Sequence, residues 1–83
     1  MNDLPVHLLL ALNGAGAHGL PVATLLVDLR RGGHHTLSEP QLVAALRGLA
    51  DQSHAVSFGS ALGQQRWRIT SRGKSALHEE GLA

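Results

Sequence analysis

The chain has 83 residues, a formal net charge of +1 with histidines neutral, and no cysteine. That length builds one hydrophobic core and excludes a second domain, so 1–83 reads as a single unit. The missing thiols exclude disulfides and thiolate metal sites and fit a reducing compartment, while the near-neutral balance removes any wholesale attraction to nucleic acid.

The start, Met-Asn-Asp-Leu-Pro, carries no basic n-region, and the apolar run Leu8–Leu12 is far too short to span a bilayer. The expectation is a soluble, cytoplasmic protein with no membrane partner. Asn2 or Asp3 can cap a first helix, with Pro5 tolerated in its first turn and Leu8, Leu9 and Leu12 as its apolar stripe. Asn13-Gly14 reads as its end, and 14–19 as a loop.

A second helix is expected from near Pro21. Val22, Leu25, Leu26 and Leu29 recur at helical spacing, Arg30 and Arg31 suit the negative end of the dipole, and Gly32-Gly33 stops it. The third helix, about 38–52, has the clearest start. Ser38-Glu39-Pro40-Gln41 reads as a capping box with proline in the first turn. Leu42, Leu46 and Leu49 form its buried stripe, with Val43 and Ala50 beside them.

The period then changes from helical to alternating. Val56 and Phe58 alternate with Ser57, Gly59–Gly63 interrupts, and Arg66-Trp67-Arg68-Ile69 alternate again. This reads as a hairpin over about 56–69, with Trp67 and Ile69 inward and Arg66 and Arg68 outward. Thr70 or Ser71 then caps a short last helix containing Ala76 and Leu77. The expected fold is therefore α+β and mainly α: three helices, a two-stranded hairpin and a short C-terminal helix, in the order of a winged helix. Charge is clustered on the same region. Four of the seven basic residues, Arg66, Arg68, Arg72 and Lys74, share a stretch without an acid.

The segment Trp67-Arg68-Ile69-Thr70-Ser71-Arg72-Gly73-Lys74-Ser75-Ala76-Leu77 resembles the aromatic-x-aliphatic-Thr-x-x-Gly-x-x-x-Leu pattern that closes the wing of PadR-like and MarR-like winged-helix transcription regulators. Leu42–Leu49 is similar to their recognition helix, and Leu8–Leu12 with Ala17–Leu20 to the PadR-like opening helix and turn. The resemblance implies a third helix entering a major groove of double-stranded DNA, with the wing on the backbone or minor groove. It carries base-facing roles onto Ser38, Gln41, Ala44, Ala45 and Gly48, with Arg47 the outward cation. It carries backbone-facing roles onto Gln65, Arg66, Arg68, Arg72 and Lys74. Gln41 can pair bidentately with adenine, Ala44 and Ala45 meet at most a thymine methyl, and Glu39 faces phosphate with the wrong sign. Four neutralised phosphates would give a log–log salt slope of about −3 to −4. Such regulators dimerise through additional helices that this chain largely lacks, which leaves Val6, Leu9 or Leu10 on the first helix as the expected homodimer surface.

Other constellations point nowhere specific. His34-His35 are adjacent, whereas His7, His18, His54 and His78 are scattered without a helical His-x-x-x-His pair, so no metal site is expected. Gly14, Gly16 and Gly19 are spaced as G-x-G-x-x-G, but a leucine-rich helix precedes them and the βαβ unit is missing, so a tight turn is the expectation. No spacing implies a nucleophile elbow or paired carboxylates, hence no enzyme and no cofactor. Trp67, on the Ile69 side of its strand, reads as core. Two functions remain from different classes: a DNA-binding regulator, and a winged helix serving as an adaptor for another protein. The bland Ala44-Ala45-Gly48 surface supports the second.

Overall fold

The computed structural model describes residues 4–59 and 65–81, so the Asn2 or Asp3 cap and the loop at 60–64 lie outside it. In chain order the elements are α1 (Leu4–Ala15), a 3-10 turn (Gly16–His18), β1 (Leu20–Pro21), α2 (Val22–Arg31), α3 (Glu39–Asp51), β2 (Ala55–Gly59), β3 (Gln65–Ile69) and α4 (Ser71–Glu79). Among the described residues this is a mostly helical α+β fold with four helices and one three-stranded antiparallel sheet, ordered β1-β3-β2.

The leucine stripes set the core. Leu8, Leu9 and Leu12 of α1, Leu25 and Leu29 of α2, and Leu42, Leu46 and Leu49 of α3 are buried together with Leu37, Ala55, Trp67, Ile69 and Leu77. Val22 and Leu26 are only half-buried and pack on the margin of that cluster. Trp67 is 7% exposed and belongs to the core.

Asn13-Gly14 does not end α1. The helix continues to Ala15 and tightens into the 3-10 turn, so 14–19 is only partly loop. Gly14 adopts no left-handed conformation; that is taken up by Gly16 (φ 66°) and Gly19 (φ 64°). Gly19 is needed twice over, since a Cβ there would also lie 2.4 Å from the Trp67 carbonyl oxygen. This close approach lets Leu20 and Pro21 pair with Trp67 and Arg66, adding a third strand to the expected two. A two-residue strand is too short to show alternation, and Pro21 reads equally as a helix start. It is indeed the extended residue preceding α2 (φ −71°, ψ 158°).

Both ends of α3 are tied down. The Ser38 hydroxyl accepts from the Gln41 amide, and Gln41 Oε1 accepts from the Ser38 amide, completing the capping box. At the other end the His54 amide donates to Leu49 and the Ser53 amide to Ala50, both at 2.9 Å. This is a Schellman arrangement with Ser53 in the left-handed position (φ 62°) that glycine usually fills. Gly33 (φ 119°) does the same for α2, where the His34 amide donates to Leu29 at 3.0 Å.

Strands β2 and β3 pair antiparallel, with Ala55 opposite Ile69, Ser57 opposite Trp67 and Phe58 opposite Arg66. The register puts Ala55 and Ser57 on the core side, and Val56 and Phe58 on the outer face with Arg66 and Arg68. The larger apolar residues of β2 therefore face away from the core. Ala55 supplies the inward contact, buried where α3 packs beside β2. Thr70, not Ser71, caps α4: its Oγ1 accepts from the Gly73 amide at 3.0 Å and donates to the Ser53 carbonyl.

Candidate nucleic-acid interface

Helix α3 buries one stripe and leaves the other free. Gln41, Ala44, Arg47 and Gly48 are exposed, and a Cβ on Gly48 would meet nothing within 4 Å. Ser38 is half-buried at the cap. Ala45 is half-buried and packs against the core, because it lies three residues after Leu42 and four before Leu49, at the edge of the buried stripe. The outward surface of α3 is therefore a smooth strip of Gln41, Ala44 and Gly48, with Arg47 beside it.

The segment before α3 is fixed by its own contacts. Arg30 Nε donates to the Leu37 carbonyl at 2.9 Å, and the Leu37 amide donates to His34 at 3.1 Å. Arg30 thus anchors the connector between α2 and α3, which the sequence could not show. His34, half-buried on that connector, meets His7 of α1. His7 Nδ1 lies 2.7 Å from His34 Nε2, with the rings edge to face. Histidines that look scattered along the chain thus include one spatial pair. Among the described residues no group of three or more His, Asp or Glu could hold a metal ion.

The basic residues of the expected wing fall into unequal roles. Gln65 is exposed at the start of β3. Arg66 is half-buried, and its Nη1 donates to the His18 carbonyl at 3.4 Å, so part of its donor capacity is used within the fold. Arg68 is exposed, its guanidinium 5.4 Å from the Phe58 ring centre, a cation–π contact that holds the charge over the outer sheet face. Lys74 of α4 lines the same hollow as Arg68, together with Gly16, Val56 and Ser71. Arg72 lines a separate hollow with His54, Ser75 and Glu79. Arg68 and Lys74 are therefore brought together, and Arg72 is not with them.

The expected dimer surface is reduced. Leu9 is 6% exposed and belongs to the core, and Val6 is half-buried; only Leu10 is exposed. Among the described residues no helix is long and apolar enough to cross a membrane.

No family model, curated protein or solved structure matches the chain.

Proposed function

We propose that this chain is a winged helix-turn-helix domain that binds double-stranded DNA as part of a transcription regulator, without catalysis or a cofactor. The observation that carries the reading is topological. The order α1-β1-α2-α3-β2-β3, with β3 central in the sheet, gives a helical pair α2–α3 followed directly by an antiparallel strand pair. In this reading α3 lies in the major groove through Gln41, Ala44 and Gly48. Arg47, Arg68 and Lys74 contact phosphates, and β2–β3 is the wing.

Three phosphate contacts give a log–log salt slope of about −3. Fluorescence anisotropy with mixed-sequence duplex at several salt concentrations tests this. Arg47→Ala/Arg68→Ala should weaken binding similarly on all sequences and make the slope shallower by about two. Absence of binding at high micromolar protein in low salt would refute the reading.

One observation favours a second function. Val56 is 39% exposed on the outer sheet face, opposite Arg68 and in one hollow with Lys74, which suits a protein partner with apolar and acidic side chains. A chain that binds no DNA, and whose Val56→Glu variant loses a partner held by the wild type, would select that function.

A further inference from the structure

Gln41 is the one exposed side chain on the α3 strip that can form directed hydrogen bonds with a base, and the cap decides which ones. Its Oε1 accepts from the Ser38 amide at 2.9 Å, while its own amide nitrogen donates to the Ser38 hydroxyl. The side-chain oxygen is therefore turned toward the cap. What Gln41 turns outward is its NH₂ group, with two donors. Bidentate pairing with adenine needs the oxygen and nitrogen of one amide presented to the base side by side, which the turn of Oε1 toward Ser38 opposes.

We propose that Gln41 reads through its outward-turned donors and selects a keto base, guanine or thymine, at one position of the bound site; this rests on the DNA-binding reading above. Guanine presents N7 and O6 and thymine presents O4, all acceptors. Adenine places its N6 donor beside N7, and cytosine presents an N4 donor, so both turn hydrogens toward the hydrogens of Gln41. The neighbouring surface favours a base edge over a phosphate. Ala44 is one turn on and Gly48 two turns on, and neither has bulk to hold the helix away from the groove floor. The short amide then reaches base edges.

The substitution that isolates this property is Gln41→Glu. A glutamate at the third helical position keeps the capping box and suits the positive end of the helix dipole, so the variant should melt at the wild-type temperature or above. Its outward oxygen accepts where the amide donated. Wild type and variant are each used to select duplexes from a random-sequence pool, and the selected duplexes are titrated by anisotropy. The expected result is one position that changes from guanine or thymine to cytosine or adenine, with the rest of the site unchanged. On matched duplexes that differ only there, the preference should invert by about tenfold in each direction. Adenine at that position for the wild type would overturn the inference, because Gln41 would then be presenting its oxygen to the base. An identical selected site with uniformly weaker binding by the variant would overturn it too, placing Gln41 on phosphate. A wild type that selects nothing and binds no duplex at low salt overturns the DNA-binding reading itself, an outcome distinct from the other two.

Discussion

Gly73→Ala is the substitution for which helix propensity and packing give opposite answers. Gly73 is the third residue of α4, where alanine is favoured over glycine by about 1 kcal/mol on propensity alone. The structure leaves no room for the methyl. An ideal Cβ would sit 2.2 Å from the His54 carbonyl oxygen and 2.7 Å from Ile69 Cγ1. The obstructing oxygen is backbone and accepts from the Thr70 amide at 3.0 Å, so it cannot rotate aside; α4 or the turn after α3 must shift. Overpacking of this kind costs about 3 kcal/mol, which leaves a net loss of about 2 kcal/mol after the propensity gain. Buried Trp67 supplies the fluorescence signal for a urea titration. With a slope of about 1 kcal/mol per molar for a domain this small, the midpoint should fall by about 2 M. Gly48→Ala is the internal control. It is helical and open on all sides, so the same change there should stabilise by about 0.5–1 kcal/mol. If Gly73→Ala raises the midpoint as Gly48→Ala does, α4 is not seated on the His54 carbonyl and the packing argument fails.

Two further substitutions test the scaffold. Ser53→Gly relieves a left-handed residue (φ 62°) at the end of α3 and should raise stability by about 0.5–1 kcal/mol in the same urea assay; a loss would mean that the serine side chain stabilises that turn. Leu46→Ala empties a fully buried position in α3 and should cost about 3 kcal/mol, and a cost below about 1 kcal/mol would show that the site is not enclosed.

The helices were legible because their signals are local. Leucine spacing identifies the buried faces of α1, α2 and α3, and Ser38 with Gln41 names the start of α3 to the residue. What stayed hidden depends on contacts between distant segments. Strand β1 exists because Gly19 lets the chain approach Trp67, 48 positions away, and two residues carry no period to read. The orientation of β2 was equally obscure. Val56 and Phe58 are the large apolar members of the alternation, and only the pairing of Ala55 with Ile69 shows that they face outward.

The same distinction governs the candidate interface. Sequence supplies the charges but not which of them are free to meet a ligand. Arg66 and Arg68 are equivalent by alternation, yet the approach of β1 gives Arg66 the His18 carbonyl, while Arg68 rests on the Phe58 ring. Arg68 and Lys74 are six residues apart and share one hollow, whereas Arg72, nearer to Arg68 in sequence, lines another, because the turn at Thr70 starts a helix whose successive residues point about 100° apart. Arg30, read as a helix-terminal charge, also donates to the Leu37 carbonyl just before the Ser38 cap. The capping box that makes Gln41 recognisable in the sequence is also what turns its side-chain oxygen toward the protein. The residues that position α3 and those that remain free to bind are thus drawn from one small set of polar side chains. Assigning them requires knowing which partner each has already taken.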